Sequence, residues 1–347
     1  MVASGIRALL VGRRGAERPH GTRDFAENLT RDLERLGVST ELVPTLGFGR
    51  GLRCARASGT VVHVLDERDA AEVPLVRDTP TVVTCHGPLP NGQGTMMAQA
   101  AAWRGAVSTW RAKHGLFSAR ALVSDTDHGA EELEAALGPN AHQLRARIYP
   151  ALRFRLAHAT ATELPSAVVR LGRPFVLHAD DADSGRHAAV DCVARVPGEL
   201  GLVFAGEAPS QSLRARLRER GLAERAAFVE GTDRVLTALY RRSHCLLATV
   251  PLASAPWVVL EAQAAGCPVV AAASAPLLEL ARGAALFADP NDTSELACQI
   301  AAAGTTEVRA RLIAEGAVNA ERFRRIDLGR EYVAIYEQLL AVRPSEH

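Results

Sequence analysis

Two polar side chains in this sequence stand where alternating strands and helices would aim them at a ligand. Glu261 falls in the first turns of the helix that Val258-Val-Leu-Glu-Ala-Gln-Ala-Ala-Gly should open. A carboxylate there can accept two hydrogen bonds from adjacent hydroxyls. The start of that helix, at Val258 and Val259, offers backbone N–H donors and the positive end of a dipole, which together favour an anion. The competing reading of Glu261 is an ordinary helix-surface carboxylate. His86 closes Thr84-Cys-His-Gly at the end of an apolar run. An imidazole in that place can donate to a hydroxyl, or can be a loop residue with no role.

Those positions matter only if short strands deliver them to one edge of a sheet. Ile6–Val11 reads as a first strand, and Thr22–Leu36 carries Phe25, Leu29, Leu33 and Leu36 at helical spacing. Glu41-Leu-Val, Val61-Val-His-Val-Leu, Thr81-Val-Val-Thr-Cys and Ala121-Leu-Val-Ser are buried-strand candidates, most of them separated by helical stretches. An N-cap is the expected task of Ser124 or Asp125 after the last of these. The rhythm is lost between residues 151 and 173, a small and polar stretch read as the interdomain linker. It restarts at Pro174-Phe-Val-Leu-His and continues through Leu202-Val-Phe-Ala, Ala226-Ala-Phe-Val, Cys245-Leu-Leu-Ala, Pro268-Val-Val-Ala and Ala285-Leu-Phe-Ala. Strands alternating with helices imply α/β architecture with a parallel sheet covered on both faces, here twice. Ligands of such sheets bind outside the carboxyl ends of the strands.

Composition narrows the classes. A chain of 347 residues suits two domains, and a formal net charge of +1 gives no reason to expect nucleic acid as a partner. Six cysteines lie far apart with no Cys-x-x-Cys pair, so small buried thiols are expected rather than a zinc site. No apolar run reaches the roughly 18 residues of a transmembrane segment, and the first residues read as a strand rather than a signal peptide. A cytoplasmic protein is the simplest expectation. Of the 40 basic residues only Lys113 is lysine, which with the abundant alanine has the flavour of a GC-rich bacterial genome. Any phosphate contact elsewhere must therefore use arginine, histidine or backbone N–H.

Four blocks in order carry a resemblance. They are Leu202-Val-Phe-Ala-Gly-Glu, then Ala226-Ala-Phe-Val-Glu-Gly with the helix ending Ala238-Leu-Tyr-Arg-Arg-Ser-His-Cys-Leu-Leu, then Trp257-Val-Val-Leu-Glu-Ala-Gln-Ala-Ala-Gly-Cys-Pro-Val-Val-Ala, and finally Ala284-Ala-Leu-Phe-Ala-Asp-Pro-Asn-Asp. Together they resemble the donor domain of family-4 glycosyltransferases, and the tail Arg322-Phe-Arg-Arg-Ile-Asp-Leu-Gly-Arg-Glu-Tyr-Val-Ala-Ile-Tyr resembles that family's terminal helix, which crosses back to the first domain. The resemblance implies the GT-B fold: two Rossmann-like doubly wound domains facing a cleft, over residues 1–155 and 174–325, with residues 326–347 returning to the first. It implies a nucleotide-sugar donor, a separate acceptor, and retention of anomeric configuration. It puts Glu261 on the ribose hydroxyls, Val258 and Val259 on the diphosphate, and His86 beside the transferred sugar as the catalytic residue. Gly206, Gly231 and Gly21 become donor-binding loop positions.

The sequence also departs from that family. The position eight before Glu261, where a second glutamate is usual, is Ala253, and no carboxylate lies between Asp233 and Glu261. The family's arginine and lysine for the leaving diphosphate are missing. Asp180, Asp181 and Asp183 occupy the corresponding loop, and no lysine occurs in the second domain. Arg186, with His187 beside it, or Arg173 are candidate substitutes, since arginine pairs bidentately with phosphate. The three aspartates are alternatively ligands for Mg²⁺, or a solvated loop capping the next helix. Three functions follow: an active glycosyltransferase, a non-catalytic relative that binds a sugar, nucleotide or protein partner, or another GT-B-type enzyme such as an epimerase.

Overall fold

The computed structural model describes residues 5–12, 20–46, 50–76, 78–86, 110–152, 163–179, 183–249, 257–324 and 326–341. The chain divides into two compact units. One comprises Met1–Pro150 and Ile326–His347, the other Ala151–Arg325. Residues 163–173, expected within the linker, belong to the second unit. Ser166–Val169 forms a single helical turn whose Val168 is buried in that unit's core, too short a segment to show periodicity.

The first unit is a six-stranded, wholly parallel sheet of β1 (Arg7–Val11), β2 (Ser39–Val43), β3 (Thr60–Val64), β4 (Thr81–Cys85), β5 (Ala121–Ser124) and β6 (Leu144–Arg147), in the order β2-β1-β3-β4-β5-β6. Val61, Val62 and Val64 of β3 are fully buried, as a strand covered on both faces requires. The last strand escapes a sequence reading. Leu144-Arg-Ala-Arg is an edge strand with no apolar run, and its residues are half-buried or exposed. Helix α1 (His20–Arg35) buries Phe25, Leu29 and Leu33, the stripe its spacing predicts.

The closing helix α2 (Leu328–Ala341) belongs to this unit and packs against α1. The contact is close: a Cβ on Gly329 would fall 2.9 Å from the Asp32 backbone, so only glycine fits. Tyr332 and Tyr336, one helical turn apart, are buried and reach the middle of the sheet. Tyr336 Oη lies 2.6 Å from His63 Nδ1, His63 Nε2 lies 2.7 Å from Thr84 Oγ1, and Thr84 Oγ1 lies 2.7 Å from Tyr332 Oη. This chain ties α2 to β3 and β4 through groups that would otherwise be buried without partners.

The second unit is also six-stranded and parallel: β7 (Phe175–His178), β8 (Gly201–Ala205), β9 (Ala226–Val229), β10 (Cys245–Ala248), β11 (Val269–Ala272) and β12 (Leu286–Ala288). Their order is β12-β11-β10-β7-β8-β9, which is the 3-2-1-4-5-6 Rossmann arrangement with its reversal between β7 and β10. One face packs on the helices Asp183–Val193, Gln211–Glu219 and Thr293–Ala303, through residues such as Val190, Leu213 and Ile300. The other packs on Asp233–Arg242, Trp257–Ala264 and Ala275–Ala281, through residues such as Leu239, Val259 and Leu277. The two doubly wound folds expected from the alternation are both present, and among the described residues no helix is long and apolar enough to cross a membrane. Cys85, Cys192, Cys245 and Cys267 are buried free thiols, while Cys298 is exposed.

Replacing Tyr336 by Phe keeps the ring and strips His63 Nδ1 of its partner. The variant is expected to lose about 1–3 kcal/mol from the first unit, measured as a shift in urea midpoint with an unchanged slope.

Candidate functional site

The reversal in the second sheet gathers loops at the carboxyl ends of β7, β8 and β10. After β7 the chain enters the helix Asp183–Val193, whose Asp183 and Ser184 are exposed while Arg186 is only 2% exposed. The Arg186 guanidinium donates to the Glu207 carbonyl at 3.2 Å, just beyond β8. Gly206, between that strand and Glu207, has φ +147°, which a side chain would oppose, and its N–H donates to Val229 O at 3.0 Å. Gly231 is buried between β9 and the helix Asp233–Arg242, which Thr232 caps by accepting from Val235 N–H. At the end of β10, the buried Thr249 donates from Oγ1 to Gly185 O at 2.8 Å. That bond joins the residue after β10 to the first turn of the helix that follows β7.

The helix Trp257–Ala264 is eight residues long and apolar on every side, so its surroundings hold it rather than its own amphipathicity. Its two polar side chains are both buried and both bonded. Glu261, 2% exposed, accepts from Tyr240 Oη at 3.1 Å. Gln263 donates to Ala284 O at 2.9 Å and accepts from Asn319 Nδ2 at 2.7 Å, and Asn319 also donates to Leu280 O at 2.8 Å. Asn319 lies on the helix Thr306–Arg324, whose Gly316 passes so near that a Cβ there would sit 3.2 Å from Gln263 Cγ. Glu261 is thus no surface carboxylate. Its oxygen is fixed by a phenol that itself has no exposed surface.

At the carboxyl ends of β3, β4 and β5 the first unit buries an ionisable cluster. His86 Nδ1 lies 2.7 Å from Asp125 Oδ2, and Nε2 lies 3.0 Å from Leu65 O. The His86 backbone N–H donates to Glu67 Oε2 at 2.9 Å, and Phe25 meets the ring edge to face at 4.7 Å. Asp66 accepts from Arg68 at 2.6 Å. Burial alone would lower the His86 pKa, but the charge and hydrogen bond of Asp125, with Glu67 and Asp66 behind it, raise it to about 9. Burial, reinforced by Asp66, lifts Glu67 to about 7. His63 goes the other way, to about 3, through burial and then the nearby charge of His86.

These positions sort the sequence candidates. Glu261, Val258, Val259, Gly206, Gly231 and Arg186 all fall on the carboxyl side of the second sheet. Arg173 does not. It precedes β7, pairs with Glu199 at 3.0 Å just before β8, and so sits on the amino edge, remote from the loops it was expected to serve. His86 reaches the expected strand end, but both ring nitrogens are already engaged, which leaves neither for a hydroxyl. Gly21 lies in the first turn of α1. Asp180, Asp181 and Ala253 lie outside the described residues. Among the described ones no group of three or more His, Cys, Asp or Glu is placed to hold a metal. The N-cap after β5 is Thr126, accepting from Gly129 N–H, because Asp125 is turned to His86 instead. Sequence reasoning missed Tyr240, Thr249 and Glu67. Tyr240 stood inside a recognised block, but nothing in a helical repeat says which tyrosine meets a carboxylate. A cavity of about 710 Å³ in the first unit, lined by Thr60, Pro80, Arg120 and Leu144 among others, lies on the amino edge and touches none of the candidates.

Residues 167–304 match the family described as glycosyl transferases group 1, so the resemblance carried by Leu202–Asp292 is borne out. No curated protein matches the chain. Solved structures show the fold across nearly its whole length. Anabaena Alr3699/HepE in complex with UDP and glucose is 18% identical, with a TM-score of 0.71 over 97% of this chain and 100% of that one. Sucrose-phosphate synthase from Thermosynechococcus elongatus is 17% identical, with a TM-score of 0.71 over 97% and 99%. A trehalose-6-phosphate protein from E. coli bound with UDP-2-fluoro glucose is 12% identical, with a TM-score of 0.71 over 97% and 99%.

The cluster predicts a pH profile. Folded His86 holds its proton up to about 9, whereas the unfolded side chain releases it near 6.5, so its contribution is complete below about 6.5 and vanishes as pH rises through 9. Glu67 acts with the same sign at lower pH, its contribution disappearing between about 4.5 and 7, while His63 opposes it by destabilising the fold as pH falls below 6.5. Above pH 7 His86 dominates this cluster. Chemical denaturation should show the first unit losing on the order of 2 kcal/mol between pH 7 and 9, and Asp125→Asn should flatten that slope.

Proposed function

We propose that the chain is a glycosyltransferase whose second unit holds a nucleotide-activated sugar and whose first unit takes the acceptor. The observation that carries this reading is Glu261: a buried carboxylate in the first turns of a helix at the carboxyl edge, which accepts from Tyr240 and is the type of group that binds two vicinal hydroxyls. The ribose of a nucleotide presents such a pair. The start of the same helix, at Val258 and Val259, supplies N–H donors and dipole to the diphosphate. Gly206 and Gly231 let backbone approach the donor.

The base is proposed to be uracil, since structures sharing this fold hold UDP, UDP-glucose and UDP-2-fluoro glucose. Departure of the diphosphate leaves an oxocarbenium-like centre, and the acceptor hydroxyl attacks from the same face, retaining configuration. Stabilising the departing charge is the main electrostatic task of this step. Arg186 takes the part of the missing basic pair, because a guanidinium buried beside the Gly206–Glu207 loop acts through a medium of low dielectric. Mg²⁺ on the acidic loop at Asp180–Asp183 is the alternative source of positive charge. His86 enters as a fixed imidazolium that shapes the end of β4, not as a donor to the sugar.

A second reading has its own observation. The second unit has no lysine, and Ala253 stands where a glutamate is usual, which favours a non-catalytic binder of the same nucleotide. Hydrolysis of UDP-glucose by the purified protein separates the two, and only the enzyme releases glucose.

Calorimetric titration with UDP, GDP and dTDP, with and without Mg²⁺, is expected to give saturable binding of UDP. Glu261→Gln should weaken that binding about tenfold or more at unchanged thermal stability. A variant that binds UDP as tightly as the parent removes Glu261 from the site, and a folded parent that binds none of the three removes the reading.

A further inference from the structure

We propose that the cavity on the amino edge of the first sheet is a second ligand site, one that takes a small phosphorylated sugar. It lies where β3, β4, β5 and β6 begin and where the closing helix α2 ends, at Gln338–Leu340. That is the opposite end of the sheet from the loops at its carboxyl edge. The volume, about 710 Å³, falls within the range of about 300–1,000 Å³ that sites for small molecules occupy.

Much of the wall is already committed. Thr79 Oγ1 donates to Ala55 O at 3.0 Å and ties the helix Arg50–Ala55 to the start of β4. Gln143 donates to Leu116 O at 2.7 Å and to Ala119 O at 2.9 Å, and accepts from Arg145. Gly59 has φ +71°, and a Cβ there would fall 2.7 Å from Gly5 O, so the turn that leads from Ala55 to Thr60 is held tightly against the chain before β1. A wall fixed in this way spares a ligand the cost of ordering it.

Other side chains on the same wall are uncommitted. Arg56, Asp78 and Arg120 are exposed, and no hydrogen bond or ion pair takes up their charges, either among themselves or from another described residue. Thr60 is 2% exposed, and its Oγ1 is buried with no hydrogen-bond partner. An orphaned buried hydroxyl costs free energy and calls for an explanation. A threonine hydroxyl turns by rotation about χ1 and can both donate and accept, so a ligand that enters can satisfy it. The mixture of groups selects the ligand. Two guanidiniums suit a phosphate, which each can grip bidentately. A carboxylate on the same wall disfavours a polyanion but accepts from the hydroxyls of a sugar. A molecule with one anionic end and a hydroxylated body uses all of these groups, which neither inorganic phosphate nor a neutral sugar does.

Calorimetric titration of the full chain with glucose 6-phosphate, mannose 6-phosphate and fructose 6-phosphate, beside inorganic phosphate and glucose, tests the site. At least one hexose phosphate is expected to bind saturably, about tenfold or more tighter than phosphate or glucose. Because α2 lines the cavity, the same compound should raise the Tm of the first unit. Arg56→Ala and Arg120→Ala should each weaken binding about tenfold, whereas Arg173→Ala, on the second unit, should leave it unchanged. Thr60→Val should weaken it about threefold or more without lowering the Tm of the free protein, since the methyl removes the orphaned hydroxyl. A Tm read beside each titration shows that the variants fold. The proposal is overturned if none of the three hexose phosphates binds, if phosphate or glucose binds as tightly, or if binding survives either arginine replacement or Thr60→Val undiminished.

Discussion

An eight-residue helix with no polar face cannot stand by itself in water, and the second unit is arranged around one. Trp257–Ala264 carries its two polar side chains inward, so each needs a partner from another element. Tyr240 serves Glu261 from one neighbouring helix, and Asn319 serves Gln263 from another that closes in over Gly316. The two polar side chains of this helix are therefore held by residues some eighty positions apart in the chain. A helix stabilised by its own amphipathic stripe would have needed none of this, but would have left its glutamate free to rotate in solvent.

The first unit solves a different problem with similar means. Parallel strands bring Asp66, Glu67, His86 and Asp125 together at one edge, where burial makes unbalanced charge expensive. The cluster is balanced by holding His86 protonated and by Arg68 on Asp66, while Glu67 keeps its proton more readily than a free carboxylate. Below it, His63 is kept neutral between Tyr336 and Thr84. Two histidines in one sheet thus sit on opposite sides of neutrality, and the difference lies in what faces them: carboxylates in one case, hydroxyls in the other.

The fold was legible because buried parallel strands leave compact apolar runs. Thr81–Cys85, Ala121–Ser124, Ala226–Val229 and Cys245–Ala248 could be delimited to the residue. Leu144–Arg147 could not, since an edge strand with two arginines looks like a loop. The site was legible only in part. Glu261 and the start of its helix were visible because their place in an ordered set of blocks is informative. The engagement of His86 was not, since Asp125 and Leu65 are brought to it by strand order, and spacing along the chain carries no trace of that. Arg173 misled for the same reason: nearness in sequence to β7 does not say at which end of the strand a side chain lies.

The chain visits the first unit, leaves it for all of Ala151–Arg325, and returns with the helix Leu328–Ala341. Synthesis on the ribosome proceeds from the N-terminus, and domains fold as their chain becomes available. The second unit is continuous and complete once residue 325 emerges. The first, though made earlier, must wait through the synthesis of the whole second unit for Tyr332 and Tyr336 to close over His63 and Thr84. The half of the protein that is born first is finished last, and in that interval its buried hydroxyls and imidazole stand open to chaperones and proteases.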